Sequence, residues 1–201
     1  VLQFAWWGFH LIELTASTHK DAQFVSKRIL MVIGEGFVFF TILLIGLSKI
    51  RSSIRKELQL SKKEIEDKTV DNFRIGEMQP ERDHNLTIDG ESYVSDALGR
   101  TGREVRKGGS FSFDLKIKAN STQASILMTY IGDDKGRFFD ILVDGQVLAT
   151  QELKGGATGK FYDISYPLNT SFTANKDKIR VTIKAHTGKT AGRVFGVRSL
   201  E

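Results

Sequence analysis

The chain has 201 residues, of which 40% are hydrophobic and 26% charged, a composition that supports a packed core and argues against wholesale disorder. Its net charge of +5 is scattered along the chain, so the composition does not favour nucleic-acid binding. Because the sequence contains no Cys, it excludes disulfides, thiolate metal ligands and a Cys nucleophile within this chain.

The first apolar segment covers residues 1–14, which is short for a membrane span, and it carries the adjacent Trp6 and Trp7. Tryptophan is enriched where lipid meets water. We expect the latter half of a first transmembrane helix here, with both tryptophans near the interface.

Residues 29–50 form a longer apolar run, in which the charged residues are Glu35 and Lys49. At about 1.5 Å of rise per residue, a helix over this run spans about 33 Å, enough to cross the core of a bilayer. We predict a second transmembrane helix, with a buried soluble helix as the alternative. An ionisable side chain within a span usually faces a partner, so Glu35 either has one or reaches the membrane interface.

After this run, Ile50, Ile54 and Leu58 recur at helical spacing, which predicts that the helix continues to about residue 64. Basic residues such as Arg51 and Arg55 cluster just past the predicted span. Because cytoplasmic flanks of spans are rich in Lys and Arg, this pattern favours the cytoplasm for this end.

From about residue 67 the pattern becomes that of strands and turns. Apolar and polar residues alternate over 111–117 and 179–183, and Asp144-Gly145 separates two β-rich runs as in a two-residue hairpin. We therefore predict a helical membrane segment over 1–66 and an all-β sandwich or jelly roll over 67–201.

Three blocks near the start of the chain are Leu2-Gln-Phe-Ala-Trp-Trp-Gly8, Met31-Val-Ile-Gly-Glu-Gly-Phe-Val-Phe39 and Ser53-Ile-Arg-Lys-Glu57. In these blocks residues 1–64 resemble the membrane sensor region of bacterial two-component histidine kinases. The resemblance implies a bacterial membrane protein. The phosphoacceptor His-Glu-Leu motif of that family does not follow the second predicted span here.

Five blocks of the β half carry a second resemblance: residues 76–86, 111–115, 137–146, 159–163 and 185–196. Residues 69–201 are similar to the C-terminal β-sandwich of glycoside hydrolase family 127, the β-L-arabinofuranosidase-like proteins. The resemblance implies a module beside a catalytic barrel that carries a Cys nucleophile and a Cys-ligated zinc. Since this chain has no Cys, no catalytic residue, metal ligand or cofactor is carried over to it.

Sugar sites on sandwiches commonly combine an exposed aromatic ring face with polar groups that bind the hydroxyls. Both Trp residues fall in the first 66 residues. In the β half, we therefore expect Tyr130 or Tyr162 to provide the exposed ring face. Asp133, Arg137 or His186 would supply the polar contacts. The alternative is that these tyrosines are half-buried structural residues, and we expect weak or no sugar affinity.

We predict a non-catalytic accessory module of a carbohydrate-active protein, joined to a membrane-anchoring helical segment in the bacterial cell envelope. Its partners would be the catalytic domain of the parent protein, an arabinose-containing saccharide and, through residues 1–50, membrane lipid. The alternative is a fragment of a membrane-bound sensor histidine kinase in which a β domain replaces the kinase core. A free-standing enzyme is disfavoured, because the sequence offers no nucleophile, metal cluster or matched acid–base pair.

The two halves of the chain predict different sides of the membrane for the β domain. The basic residues after the span favour the cytoplasm for the β domain, whereas an arabinoside-processing module works more naturally outside it. This conflict leads us to expect a fusion, with its joint between Lys63 and Val70.

Overall fold

The computed structural model describes the backbone of residues 22–201 and the side chains of residues 40–201. Trp6 and Trp7, which we expect at a membrane interface, lie outside the described residues, as does the side chain of Glu35. The chain divides into two compact units between Lys62 and Lys63.

A single long helix, α1, runs from Ala22 to Lys68. Its backbone confirms the helix predicted for residues 29–50 and its continuation to about residue 64. Among the described residues, no helix is both long and apolar enough to cross a membrane. The predicted span therefore finds no support there, and its residues 29–39 lie outside the described side chains.

Residues 69–201, all of which are described, form twelve strands and two short helices. The strands are β1 (Thr69–Phe73), β2 (Thr87–Asp89), β3 (Ser92–Ala97), β4 (Arg100–Val105), β5 (Ser110–Lys116), β6 (Ser125–Gly132), β7 (Lys135–Val143), β8 (Gln146–Lys154), β9 (Ala157–Pro167), β10 (Lys178–Ala185), β11 (Ala191–Val194) and β12 (Gly196–Leu200). The helices are α2 (Met78–Asp83) and α3 (Thr170–Thr173).

The strands form three antiparallel sheets. A four-stranded sheet has the order β1-β12-β6-β9, a five-stranded sheet β2-β5-β10-β7-β8, and a three-stranded sheet β11-β4-β3. The two larger sheets contribute to one buried core, which makes the domain a β-sandwich and confirms the fold predicted for this part of the chain.

Strand alternation places one face of each central strand in this core. On β5, Phe111, Phe113 and Leu115 are fully buried, while the polar residues between them are half-buried. On β6 of the facing sheet, Ile126 and Met128 are buried in the same alternating way. A side-chain period of two therefore builds the sandwich, as the sequence pattern predicts.

The hairpin predicted at Asp144-Gly145 joins β7 to β8. Both residues have positive φ, 49° for Asp144 and 82° for Gly145. Two successive residues in this region make a turn whose twist matches that of the flanking strands. Asp144 also accepts a hydrogen bond from the backbone N–H of Arg180, which fixes the hairpin against β10.

The three-stranded sheet was not predicted from the sequence. Gly102 of β4 lies so close to Phe195 that a Cβ atom there would be 2.8 Å from the ring. The Phe195 ring packs edge-on against Phe161 of β9, with ring centroids 4.9 Å apart. The small residue at position 102 thus lets β4 approach the four-stranded sheet.

We predict that residues 67–201 fold without the preceding helix. Their length exceeds that at which one hydrophobic core becomes sufficient, and the core described above lies wholly within them. Expressed alone, this fragment should unfold in one cooperative thermal transition. In the same fragment Phe113→Ala should lower the free energy of unfolding by about 3–5 kcal/mol through the cavity it leaves. A molten or insoluble product would show that the domain depends on the rest of α1.

Candidate functional site

Four charged side chains from different parts of the domain meet at one buried position, which we call the charged cluster. It consists of Glu104 on β4, Asp134 in the β6–β7 turn, Arg137 on β7 and Arg193 on β11. Glu104 and Asp134 are only 5% and 4% exposed. The side chains of both arginines remain 19% exposed, so the cluster reaches the surface through its cations.

Asp134 lies between the two arginines. Its Oδ1 is 2.9 Å from Nη2 of Arg193 and 3.2 Å from Nη2 of Arg137. Its Oδ2 accepts the backbone N–H of Arg193 at 2.9 Å. One buried carboxylate thus connects the β6–β7 turn to β7 and to the three-stranded sheet.

Glu104 extends the cluster towards the surface. Its Oε2 accepts a hydrogen bond from Nη1 of Arg137 at 2.6 Å, and its Oε1 accepts one from Nε of Arg106 at 2.8 Å. Burial by itself would raise the pKa of Glu104, but the hydrogen bonds from Arg137 and Arg106 outweigh it and lower that pKa below its usual value. A carboxyl group held ionised in this way is a poor general acid at neutral pH.

Two tyrosines flank the charged cluster. The guanidinium of Arg106 lies 4.6 Å from the ring centre of Tyr93, which is 45% exposed. Burial and the nearby charge of Asp134 raise the pKa of the half-buried Tyr162. The described surface here combines aromatic rings with charged hydrogen-bonding groups.

The structure corrects the expectation that Tyr130 offers a ring face to a sugar. Tyr130 is fully buried, and its hydroxyl lies 3.1 Å from that of Tyr166. Burial raises the pKa of Tyr130 well above its usual value. Because alternate residues of β6 point into the core, Tyr130 follows Ile126 and Met128 inward.

Tyr162 and Arg137 both lie at the charged cluster. Tyr162 is paired with Tyr130 across β9 and β6, with ring centroids 6.0 Å apart, but it stands on the edge strand and keeps part of its surface exposed. Tyr162 is thus half-buried, and its contact with a sugar stays a prediction. Arg137 is a member of the cluster and forms ion pairs with Glu104 and Asp134.

Asp133 lies beside the charged cluster, next to Asp134, and together with Asp134 its charge contributes to raising the pKa of Arg193, whereas His186 lies apart from the cluster. Asp133 is exposed on the β6–β7 turn and accepts the backbone N–H of Gly159 at 2.9 Å. His186, just after β10, packs edge-on against Phe138, and its Nε2 is 3.0 Å from Oδ1 of Asp140, outside good hydrogen-bond geometry. Over residues 40–201, His186 contacts Asp140 and Phe138 and makes no hydrogen bond or ion pair with the charged cluster.

Sequence reasoning missed Glu104, Asp134 and Arg193. Glu104 lies on β4, a strand that the alternation of apolar and polar residues does not predict. The one available signal was the charged Arg193 inside the apolar end of the block 185–196. Over residues 40–201, no group of three or more His, Asp and Glu side chains is placed to hold a metal ion.

We predict that Asp134→Asn strongly destabilises the domain. Removing this charge leaves Arg193 without its counter-ion and Arg137 with Glu104 alone, and breaking a buried ion pair in this way typically costs about 3–5 kcal/mol. The matched control is Glu91→Gln, which breaks the exposed Lys107–Glu91 pair at 2.8 Å and should cost far less, because water screens an exposed ion pair. Urea denaturation measures both, and equal losses would contradict a structural role for the cluster.

We also predict an acid-sensitive contribution from Glu104. Its folded-state pKa lies below the ordinary value of 4.5, so ionised Glu104 stabilises the fold above that pH and the contribution is lost as the pH falls below it. Glu104→Gln should therefore flatten the dependence of unfolding free energy on pH between about pH 5 and 3. Glu152→Gln, on an exposed side chain, is the control and should leave the slope unchanged. Parallel curves for Glu104→Gln and the parent chain would contradict this prediction.

Comparisons with known proteins add three distant structural matches. A family 35 carbohydrate-binding module from an environmental isolate is 13% identical, with a TM-score of 0.44, and the match covers 65% of this chain and 92% of that one. A family 35 module from Clostridium thermocellum is 11% identical, with a TM-score of 0.41 and coverages of 57% and 91%. An exo-β-1,3-galactanase from Phanerochaete chrysosporium is 14% identical, with a TM-score of 0.46 and 57% of this chain covered.

The match spans only 27% of the galactanase chain. The comparison with curated proteins found no match. The resemblances to glycoside hydrolase family 127 and to histidine-kinase sensors therefore stay predictions. A family model does match, over residues 64–200, and it describes a family of unknown function. Because this match covers more than half of the chain, the protein belongs to that family, DUF6805.

Proposed function

We propose that the β domain is a non-catalytic saccharide-binding module, with its ligand on the surface where the charged cluster meets Tyr162. The observation that carries the proposal is the pair of partly exposed arginines held by buried carboxylates beside a half-buried aromatic ring. Sugar sites commonly combine a flat apolar surface with directional polar groups.

The arginines supply hydrogen-bond donors in fixed positions. Arg137 is held by Glu104 and Asp134, and Arg193 is held by Asp134 at both its backbone N–H and its side chain. Each guanidinium has five N–H donors, so these pairings leave donors for the hydroxyl oxygens of a ligand. Because the side chains are already ordered, binding loses little further conformational entropy.

Tyr162 supplies the apolar part of the surface. Its position on the edge strand β9 leaves part of the ring accessible while Tyr130 supports it from the core side. An aromatic ring in this setting covers the C–H face of a sugar, while the neighbouring charged groups bind its hydroxyls. A single partly buried ring gives a small contact area, so we expect a dissociation constant of about 1 mM or weaker.

The same geometry supports a binding role rather than a catalytic one. Glycoside hydrolysis commonly requires one carboxyl group with a raised pKa to protonate the leaving group. Glu104 has a lowered pKa, and Asp134 is paired with two arginines. The proposal includes an accessory role beside a catalytic domain and an arabinose-containing ligand, both of which follow from the sequence resemblance of residues 69–201.

Calorimetric or NMR titration of the full chain with arabinan, galactan and xylan oligosaccharides tests the proposal. We expect weak saturable binding to at least the arabinan series, with amide shifts at Tyr162 and Arg137. Tyr162→Ala should weaken this binding at least tenfold, because the ring contact is lost. Tyr130→Phe is the matched control, since it removes only a buried hydroxyl and should keep the affinity within about twofold.

Each variant must also show the cooperative thermal transition of the parent chain, so that a loss of binding is not a loss of fold. Two results would contradict the proposal. One is the lack of saturable shifts with every saccharide at concentrations of tens of millimolar. The other is binding that Tyr162→Ala leaves unchanged.

A further inference from the structure

Strand β3 forms one edge of the three-stranded sheet, whose order is β11-β4-β3. It pairs with β4 along its whole length without a register shift. Edge strands are usually protected against further pairing by a bulge, by Pro or Lys, or by their short length. β3 contains neither Pro nor Lys, and its one charged residue is Asp96. The strand therefore lacks the common protections against pairing with another strand.

The other edge strands of residues 69–201 do not combine length with regular pairing. β1, β8, β9 and β11 each pair with their neighbour through a register shift. β2 has no shift but contains only three residues. Because a shift bends the strands and disrupts the ladder, β3 is the edge best suited to extend a sheet.

The register between β3 and β4 determines which backbone groups face this edge. Just before β3, the N–H of Arg106 donates a hydrogen bond to the C=O of Glu91 at 2.9 Å, so these two residues form a hydrogen-bonded pair. Hydrogen-bonded and non-hydrogen-bonded pairs alternate along an antiparallel ladder. Every second residue of β3 therefore directs its N–H and C=O groups away from β4. These residues are Ser92, Val94 and Asp96.

The outward groups of β3 are complementary to those of a second copy of the same strand. If two copies run antiparallel with Val94 opposite Val94, Ser92 of each copy lies opposite Asp96 of the other. All outward residues are then matched, which gives about six intermolecular hydrogen bonds. A shift of two residues in either direction would instead place Gly90 or Leu98, both outside the strand, opposite an outward residue.

The side chains agree with this register. Val94 is 45% exposed and would pack against Val94 of the second copy. Tyr93 is also 45% exposed and would lie opposite the small side chain of Ser95. The charged Asp96 falls opposite the uncharged Ser92, so the register brings no like charges together within the paired segment.

We propose that β3 pairs antiparallel with β3 of a second copy of this chain, so that two three-stranded sheets join into one six-stranded sheet. The contact is the same surface on both copies, as in a closed twofold dimer. It pairs the outward backbone groups and covers Tyr93 and Val94. The dimer places two copies of the proposed saccharide surface on one assembly, but its formation does not depend on saccharide binding.

Amide hydrogen exchange of the full chain in non-ionic detergent tests the pairing at single residues. In the dimer, the N–H of Val94 is hydrogen-bonded to the second copy. Its exchange should therefore slow at least about tenfold as the chain concentration rises from about 1 to 100 μM. Tyr93 is the internal control, because its N–H bonds to β4 within each chain and its exchange should change less than about twofold.

Disulfide crosslinking tests the same contact, because a chain without Cys can carry one introduced thiol at a time. In the proposed register, the Cα atoms at position 94 of the two copies lie about 5.5 Å apart, within disulfide reach. Val94→Cys should therefore give a linked dimer under mild oxidation. Val147→Cys is the matched control, since Val147 lies on the edge strand β8 and is 58% exposed. It should crosslink at least about tenfold more slowly than Val94→Cys.

Two further variants test the direction of the strands and the backbone contact. In the antiparallel register the two copies of Asp96 lie about 13 Å apart, so Asp96→Cys should crosslink no faster than the Val147→Cys control. Val94→Pro removes an outward N–H and leaves the ladder with β4 intact. It should keep the cooperative thermal transition of the parent chain but abolish the concentration dependence of exchange at Ser92 and Asp96.

Four results would overturn the proposal. Exchange at Val94 that does not depend on chain concentration would mean that a second copy does not bind this edge. Equal crosslinking of Val94→Cys and Val147→Cys would indicate random collision. Faster crosslinking of Asp96→Cys than of Val94→Cys would exclude the antiparallel register. A concentration dependence that Val94→Pro leaves unchanged would place the contact between copies elsewhere in the chain.

Discussion

The carboxylate of Asp134, shared between Arg137 and Arg193, is the interaction on which the arrangement of the β domain depends. Asp134 is almost fully buried, so its charge has lost the stabilisation that water provides. Its two arginine partners must compensate for this desolvation penalty. Through these contacts, and through Glu104 on Arg137, a single polar cluster ties the three-stranded sheet to the sandwich. The hydrophobic core joins the two larger sheets and also takes in Val105, Ala191 and Val194 of the third sheet, and the charged cluster adds ion pairs at that contact.

The same interaction connects the fold to the proposed binding surface. Hydrogen bonds to carboxylates fix the orientation of a guanidinium group, so that its remaining N–H groups point in one direction. Tyr162 stands beside the cluster because its edge strand pairs with β6, which leads directly into the turn that carries Asp134. The contacts that stabilise the junction therefore also preorganise the polar and aromatic groups that a saccharide would meet.

The sequence pattern predicts the regular strands of this domain, but it does not predict the strand β4 or the side chains that form the charged cluster. Alternation over residues 111–117 and the Asp144-Gly145 turn are enough to predict β5 and the β7–β8 hairpin. By contrast, β4 buries Arg103 and Glu104, so a pattern that equates buried with apolar does not detect it. The register between β6 and β9 places Tyr130 opposite Tyr162, and the strand order makes β9 an edge that leaves Tyr162 partly accessible; neither can be predicted from alternation within a single strand.

The most direct test of this account is amide hydrogen exchange in Asp134→Asn, measured strand by strand. If the cluster holds the three-stranded sheet in place, exchange in β3 and β4 should accelerate at least tenfold more than exchange in β5 and β10, which belong to the main core. Uniform acceleration across all strands would mean that Asp134 contributes only to global stability. No selective change in β3 and β4 would contradict the claim that this buried carboxylate organises the junction.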